Sequence, residues 1–337
     1  MVGSLGGGRQ LPLFPSRRFW AMTEQELDPT PFLDCWFLTG PTASGKTATG
    51  IALAQLIDAE IVVMDSMTVY REMNVGTAKP TAQQVEEVRH HLLDLVSPTE
   101  EFSISEYLQA AARAVDDIRS RGKQVLFVGG TPLYLRALLR GIDQGPPPDP
   151  AFRAEVMEEV EQYGSQALHD RLALVDPLAA SRIHPHDTKR LIRALEVFHA
   201  TGLPISHRQR HFDQPPLELP RHAFALQWPR GILHERINAR VQEMFERGFV
   251  DEVRRLIDKY GRLSKTASQA VGYREVLAHL IENVPLEETI RAVQTRTRRF
   301  ARRQETWFRS FEELRPVSAV EASAQQLAER LAGNALR

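Results

Sequence analysis

The stretch GPTASGKT, residues 40–47, matches the phosphate-loop pattern G-x-x-x-x-G-K-[ST] at every fixed position. It follows the apolar run CWFLT, 35–39, which is typical of a buried strand, and it precedes apolar residues at helical spacing. In such a strand–loop–helix unit, backbone N–H groups and the helix N-terminus converge on phosphate oxygens. We therefore predict a phosphate site formed by Gly40, Pro41, Thr42, Ala43, Ser44, Gly45, Lys46 and Thr47, with Thr47 as a ligand for Mg²⁺.

Three further apolar runs outside the loop predict more of the same sheet. They are IVVM at 61–64, QVLFV at 124–128 and HAFALQW at 222–228. Segments with apolar residues at helical spacing lie between the first strands. Ser103 and Glu106 have the spacing of a capping box at the start of one such segment. Unbroken apolar strands that alternate with helices indicate a parallel sheet covered on both faces. The predicted fold is therefore α/β, a P-loop NTPase-like parallel sheet covered by helices, with a short strand or loop and a terminal helix after Arg315.

The segment GIDQGPPPDP, 141–150, interrupts this pattern because three consecutive prolines continue neither a helix nor a central strand. Short helical segments follow up to about residue 210, and we predict an inserted all-helical lobe over 145–210. The core domain is then 31–144 together with 211–337. Residues 1–30 mix glycine, proline and scattered charge without periodicity, and we expect a disordered leader.

Composition narrows the class of protein. The chain of 337 residues contains one cysteine, which excludes a disulfide framework and fits a reducing cytoplasm. The sequence has no run of about 18 apolar residues, so we expect no membrane-spanning helix and a cytoplasmic protein. The formal net charge is −1, so a nucleic-acid site must be a local patch.

The phosphate loop alone leaves the reaction open. A motor NTPase needs an apolar strand that ends in aspartate to hold Mg²⁺, whereas the third strand here ends in Gly129, Gly130 and Thr131. Asp65 ends the second strand instead. Two classes remain from the loop: a small-molecule kinase, and a transferase whose donor carries a diphosphate leaving group.

One segment suggests a polyanionic partner. Residues 289–309, TIRAVQTRTRRFARRQETWFR, contain seven arginines and one acid. On a helix, one stripe is basic and the opposite stripe is apolar, so the helix can dock on a core and present its charge to a polyanion. A basic membrane-surface helix and a merely solvated basic face are the alternatives. The predicted basic stripe is Arg291, Arg298, Arg302 and Arg309, and the predicted apolar stripe is Val293, Phe300, Trp307 and Phe311.

Several blocks together resemble the bacterial tRNA dimethylallyltransferase family, in order from about residue 36 to 311. Besides the phosphate loop they are DSMTVYREMNVGTAKP (65–80), HHLLDLVSP (90–98), LFVGGTPLYLRALLRG (126–141), DTKRLIRALEVF (187–198), QAVGYRE (269–275) and RRQETWFR (302–309). The resemblance implies transfer of a dimethylallyl group from dimethylallyl diphosphate to the exocyclic amine of the adenosine 3′-adjacent to the anticodon, with Mg²⁺ and release of diphosphate.

The resemblance also implies roles for individual residues. Asp65 matches the position of the family's proposed general base. Thr131 and Lys46 are implied as further catalytic residues, and Arg240 is a candidate clamp for the diphosphate. Contacts to the tRNA anticodon stem-loop are implied for Asp65, Ser66, Met67, Thr68, Thr131, Arg153, Lys189, Arg190, Leu191, Ile192, Arg193, Gln269, Ala270, Val271, Gly272, Tyr273, Arg274, Arg298, Arg302, Arg303, Gln304, Trp307 and Arg309.

The chain departs from the family pattern at two positions, Thr68 and Glu72, where relatives usually carry glutamine or leucine and glycine, respectively. Thr68 puts the side-chain contact to the flipped base in doubt. Three alternative functions remain. An adenylate isopentenyltransferase would share the loop and Asp65 but would need no arginine helix, and a small-molecule kinase would need ATP and an arginine lid. A non-catalytic RNA-binding protein would need none of the loop residues. We expect a monomer.

Overall fold

The sheet is built from short strands that are apolar along their whole length, as expected for strands covered on both faces. The computed structural model describes residues 26–27, 29–143, 145–208 and 220–334. The strands, in chain order, are β1 Glu26–Leu27, β2 Trp36–Thr39, β3 Ala59–Val63, β4 His90–His91, β5 Gln124–Val128, β6 Ile142–Asp143, β7 His222–Gln227 and β8 Arg315–Ser318.

Helices separate most of these strands, and short 3₁₀ turns lie at Thr30–Phe32 and Ala267–Gln269. The α-helices are α1 Lys46–Leu56, α2 Ala82–Glu87, α3 Ile104–Ser120, α4 Pro132–Arg140, α5 Pro150–Val175, α6 Pro177–Arg182, α7 Thr188–Thr201, α8 Ile205–Arg208, α9 Arg230–Glu246, α10 Phe249–Tyr260, α11 Tyr273–Glu282, α12 Leu286–Phe308 and α13 Ala324–Asn334.

Six strands form one sheet in the order β4-β3-β5-β2-β7-β8, and every neighbouring pair is parallel. In the register, Trp36 lies between Leu126 of β5 and His222 of β7, and Ile61 lies opposite Leu126. Because the strands are parallel, the segments that follow β2, β3 and β5 leave the sheet at one edge. Ligands bind at this edge in open α/β sheets.

The two faces of the sheet are covered by different helices. Leu38, Ile61 and Leu126 belong to an apolar cluster with Leu53 of α1 and Leu331 of α13. On the opposite face, Phe37 stacks on Phe127 with 5.1 Å between ring centroids, as the alternation of side chains along a strand requires. Helix α3 covers this side and starts with the predicted capping box between Ser103 and Glu106.

A second apolar cluster lies outside the sheet and joins the segment after β3 to the C-terminal helices. Val69, Tyr70 and Met73 pack there with buried residues of α10 and α11, including Phe249 and Tyr273. The buried carboxylate of Glu252 on α10 accepts hydrogen bonds from the backbone N–H groups of residues 74, 75 and 76 at 2.8, 2.7 and 3.1 Å. This segment is therefore fixed by both packing and charge.

The chain divides into two compact units. One contains the six-stranded sheet, and the other combines β1 with a segment that starts at Ile142, slightly before the predicted lobe boundary at residue 145. In the second unit, described residues from 145 to 208 form helices and loops, with a core that includes Phe152, Leu168 and Leu195. Its one described strand pair is β1 with β6, which is antiparallel.

The predicted parallel sheet and its covering helices are confirmed. The strand β4 was not predicted, because a strand of two residues shows no apolar periodicity. Of the predicted leader 1–30, the structure describes the strand Glu26–Leu27, whose backbone pairs with β6, and the residues that lead into the turn Thr30–Phe32; residues 1–25 and 28 lie outside the described part of the chain. Within the described ranges, no helix combines the length and apolar character that crossing a membrane requires.

Candidate active site

The phosphate loop needs glycine at two positions. Gly45 has a φ of 90°, a left-handed conformation that L side chains rarely adopt, and it directly precedes α1. At Gly40, with a φ of 151°, a Cβ would lie 2.9 Å from Ser44 Oγ and 3.1 Å from Leu226 O. The glycines of the motif are therefore imposed by backbone conformation and by close approach within the turn.

Two side chains that the sequence analysis missed hold this loop by its carbonyl groups. Trp228 Nε1 donates to Ser44 O at 2.9 Å, and Arg236 Nε donates to Ala43 O at 2.9 Å. The Arg236 guanidinium lies over the Trp228 ring, 4.3 Å from its centroid. The available signal was the position of Arg236 one helical turn before Arg240 on α9, which puts both arginines on one face.

Besides Arg236, the loop has two further cations, Lys46 and Arg240, and the carboxylate of Asp65 beside it. Lys46 Nζ donates to Pro41 O at 3.2 Å. Desolvation, with help from the Arg240 charge, lowers the pKa of Lys46 to about 8, and Asp65 opposes the shift. Desolvation also lowers the pKa of Arg240, again opposed by Asp65. Because both cations are desolvated and repel each other, an anion bound beside them would stabilise their charged forms.

The acceptor side of the site is formed where β3 and β5 end. Asp65 Oδ1 accepts a hydrogen bond from Met67 N at 2.9 Å. Thr131 Oγ1 accepts one from Ser66 N at 3.0 Å, and it makes no capping bond to α4. The Thr131 hydroxyl is therefore used across the site rather than as a helix cap.

Gly129 explains why no aspartate ends β5. A Cβ at this position would lie 1.9 Å from Met64 O, inside the neighbouring backbone. The acidic residue that motor NTPases place after such a strand is sterically excluded here. Asp65 is the carboxylate that this edge of the sheet offers beside the loop.

The two residues that depart from the family pattern lie in different structural environments. Thr68 is 4% exposed, and its Oγ1 has no hydrogen-bond partner among the described residues. Glu72 is exposed on a residue with φ of 63°, a conformation that favours glycine. Its carboxylate is bonded by Lys259 Nζ at 2.6 Å and Tyr260 OH at 2.7 Å, which hold it away from the phosphate loop.

The arginine helix, α12, has a buried face and an exposed basic face, but the stripes differ from the predicted ones. The buried residues are Thr289, Val293, Ala301, Gln304 and Phe308. Arg298 is half-buried, and its Nη1 donates to Asn238 Oδ1 at 2.5 Å. The helix is rotated relative to the prediction: Val293 is buried as predicted, but Ala301, Gln304 and Phe308, rather than Phe300 and Trp307, complete the buried face. The exposed arginines are Arg291, Arg299, Arg302, Arg303 and, after the helix, Arg309.

The other residues that the resemblance implies as RNA contacts differ in how far they are exposed to solvent. Gln269 and Arg274 are exposed, Val271 is half-buried, and Ala270, Gly272 and Tyr273 are buried. The Tyr273 hydroxyl donates to Glu252 Oε1 at 2.8 Å. Trp307 is half-buried beneath the Arg136 guanidinium, 4.8 Å from its ring centroid.

In the lobe, Lys189 and Arg190 are exposed, whereas Leu191 and Ile192 lie in the core. Arg153 Nε and Arg193 Nη1 bind the buried carboxylate of Glu196 at 2.7 and 2.6 Å. The two arginines therefore neutralise a carboxylate inside this unit.

Comparison with known proteins agrees with this geometry. The IPP transferase family model matches residues 68–311. A tRNA dimethylallyltransferase of Rhodopirellula baltica is 48% identical over 301 residues, which cover 87% of this chain and 90% of the relative. One of Trichlorobacter lovleyi is 43% identical over 287 residues, 85% of this chain and 94% of the relative.

Solved structures agree as well. The full-length tRNA isopentenylpyrophosphate transferase from Bacillus halodurans has a TM-score of 0.65 and 36% identity, covering 90% of this chain and 97% of that one. A eukaryotic dimethylallyltransferase described as acting on tRNA has a TM-score of 0.71 and 26% identity, covering 88% of this chain and 77% of that one. The chain belongs to the IPP transferase family, whose matched relatives are tRNA dimethylallyltransferases.

Proposed function

We propose that the protein transfers a dimethylallyl group from dimethylallyl diphosphate to the exocyclic N6 amine of the adenosine 3′-adjacent to the anticodon in tRNA. The observation that carries this proposal is the pair of desolvated cations, Lys46 and Arg240, beside Asp65. This pair is suited to the polyanionic diphosphate leaving group, and the carboxylate can accept a proton.

The donor diphosphate lies in the phosphate loop, against backbone N–H groups at the N-terminus of α1, with Lys46 and Arg240 on its oxygens. The bond between the allylic carbon C1 and the bridging oxygen breaks, and its electron pair leaves with diphosphate. An allylic carbon tolerates developing positive charge, so the barrier is set mainly by the charge on the leaving group. Preorganised N–H donors and cations stabilise that charge without reorganisation.

A divalent cation fits this site through its oxygen donors. No group of three His, Cys, Asp or Glu side chains in the described ranges could hold a metal ion by itself. Hard cations such as Mg²⁺ instead take oxygen from phosphates, water and one or two side chains, and the Thr47 hydroxyl at the first turn of α1 is the candidate protein ligand. Bound there, Mg²⁺ would supply further neutralisation of the departing diphosphate.

The acceptor amine is a poor nucleophile because its lone pair is delocalised into the ring. As the N6–C1 bond forms, N6 loses a proton, which the Asp65 carboxylate accepts and later passes to solvent. Met67 N orients this carboxylate, and the bond from Ser66 N to Thr131 Oγ1 fixes the backbone beside it. The target base must leave the stack to reach these groups, as is general for enzymes that act on a base.

The exposed basic face of α12 supports an RNA acceptor over a free nucleotide. Arg302, Arg303 and Arg309 are exposed there, with Arg274 on α11. Arg296 Nη1 binds Glu275 Oε1 at 2.5 Å and so joins α11 to α12. An enzyme for AMP would need no such surface. Apart from Asp65 and Thr131, which face the acceptor base, we restrict the proposed side-chain contacts to the exposed residues, and we assign Tyr273, Leu191, Ile192 and Gln304 to the interior.

The proposal is tested by offering labelled dimethylallyl diphosphate and Mg²⁺ with unmodified tRNA that carries a UNN anticodon, and in parallel with AMP. Label in tRNA supports the proposal. Label in AMP alone would favour an adenylate isopentenyltransferase, and label in neither would bring back the kinase, with ATP as its donor. We further propose a monomer that works in the cytoplasm, where its tRNA substrate is found.

A further inference from the structure

Gln304 is the residue of α12 that reaches the donor site. Its side chain is 3% exposed and points away from the basic face. Oε1 accepts a hydrogen bond from Thr42 N at 2.9 Å, and Nε2 donates one to Gly130 O at 2.6 Å. One carboxamide thus joins the phosphate loop to the loop that follows β5.

The contact is close on both sides. A Cβ at Gly130 would lie 2.7 Å from Gln304 Nε2 and 3.3 Å from Lys46 Nζ. The next residue is Thr131, whose N–H donates to Met64 O at 3.3 Å and whose hydroxyl accepts from Ser66 N. A continuous series of hydrogen bonds therefore runs from the donor loop through Gln304 and Gly130 to the backbone beside Asp65.

We infer that Gln304 is a positioning residue that sets the separation between the diphosphate-binding loop and the acceptor-binding residues Asp65 and Thr131. This inference rests on the proposed function. In-line transfer requires C1 and N6 at near-attack distance, and a misplacement of about 1 Å can cost about 10²-fold in rate. A carboxamide suits the position because it accepts and donates at once, which neither glutamate nor an apolar side chain does.

The proposed role of Gln304 differs from that of its neighbours on α12. Arg302 and Arg303 lie on the exposed side of the same turn and would act on RNA affinity. Gln304 would act on the rate after both substrates are bound. A purely structural glutamine would change only the stability of the fold, and a direct RNA contact would change tRNA affinity.

The test compares Gln304→Met, which removes both bonds, and Gln304→Glu, which keeps the acceptor for Thr42 N but sets a carboxylate against Gly130 O. Thr289→Val is the matched control, because Thr289 is buried on the same helix and its hydroxyl donates to Pro285 O at 3.1 Å, within α12's own first turn. Each full-length variant is measured for single-turnover transfer at saturating donor and tRNA, for tRNA Kd and for Tm.

We expect Gln304→Met to lower the single-turnover rate by about 10²-fold, with tRNA Kd within about threefold of wild type, and Gln304→Glu to lower the rate as well. Thr289→Val should lower Tm without lowering the rate. A rate for Gln304→Met no lower than that of the control would overturn the inference, as would a weaker tRNA Kd with an unchanged saturated rate.

Failure of the proposed function would be recognised separately. If the wild-type chain transferred no prenyl group to tRNA or AMP, binding of dimethylallyl diphosphate would decide the inference. In that case Gln304→Met should weaken donor binding about tenfold, the equivalent of about 1.4 kcal/mol, because the phosphate loop loses its anchor at Thr42. Unchanged donor affinity would then contradict it.

Discussion

Ser66 N donates a 3.0 Å hydrogen bond to the hydroxyl oxygen of Thr131, so the ends of two neighbouring strands are fixed to each other beside Asp65. The bond engages the side chain at the N-cap position of α4, which makes no capping bond to that helix. It also holds the backbone whose next N–H group, that of Met67, orients the Asp65 carboxylate. The backbone beside the proposed base is therefore held by a bond between Ser66 and Thr131 that a substitution of the Asp65 side chain leaves in place.

Asp65→Asn should consequently fold and bind tRNA normally but lose at least about 10²-fold in prenyl transfer, the usual contribution of a general base. The amide oxygen still accepts from Met67 N, whereas the amide cannot accept the N6 proton. Single-turnover transfer at saturating substrates measures the effect, and Asp116→Asn on the exposed side of α3 is the control. Near-normal turnover in Asp65→Asn would remove Asp65 as the base.

Donor affinity should depend on pH through Lys46. The pKa of this side chain in the free protein is lowered to about 8, so the ammonium is charged below that pH and supports binding of dimethylallyl diphosphate. As pH rises through 8, the charge is lost and Kd should increase. Calorimetric titration from pH 6.5 to 9.5 would follow it.

Lys46→Arg provides the control for this pH dependence, because a guanidinium stays charged over the whole range. Its donor affinity should be nearly flat with pH, whatever its absolute value. If wild type and Lys46→Arg lost affinity in parallel above pH 8, the titrating group would lie elsewhere, in the ligand or in another residue.

Replacing Arg302 and Arg303 with glutamine should weaken tRNA binding and reduce the salt dependence of its logarithmic affinity. Two lost phosphate contacts lower the slope by about 1.4 to 1.8. Filter binding between 50 and 300 mM salt measures it, with Arg330→Gln on the exposed side of α13 as a control. An unchanged slope in the double variant would place the RNA footprint outside the basic face of α12.

Glu252 should prove necessary for stability rather than for chemistry. Its buried carboxylate accepts three backbone N–H bonds and one from the Tyr273 hydroxyl. Glu252→Gln would place an N–H₂ group against these donors, and we expect a loss of roughly 2 kcal/mol or more in the free energy of unfolding. Denaturant titration would measure it, and exposed Asp258→Asn should change stability by less than about 0.5 kcal/mol. Equal stability of the two variants would show that residues 74–76 do not depend on Glu252.

Local patterns in the sequence were sufficient to predict much of this architecture. The strand before the phosphate loop, the loop itself and the capping box of Ser103 with Glu106 are short-range features, and each is confirmed. The carboxyl-edge position of Asp65 and Thr131 follows from the parallel sheet. The basic helix was predicted as an element, although its rotation was not.

The remaining features of the site depend on contacts between residues far apart in the chain. Gln304 reaches Thr42 across 262 positions, and Trp228 reaches Ser44 across 184. No periodicity encodes such pairs, and a glutamine amid arginines on a predicted RNA helix gives no sign that it faces inward. Arg298 was misplaced for the same reason, since Asn238 lies on a different helix.

The most direct test of the account is to locate the product. Wild-type protein is incubated with dimethylallyl diphosphate, Mg²⁺ and unmodified tRNA, and the tRNA is digested and analysed by mass spectrometry while released diphosphate is quantified. The account predicts one dimethylallyl group on the adenosine 3′-adjacent to the anticodon and one diphosphate released for each group transferred. An unmodified tRNA, with prenyl transfer only to AMP or phosphate released only from ATP, would contradict it.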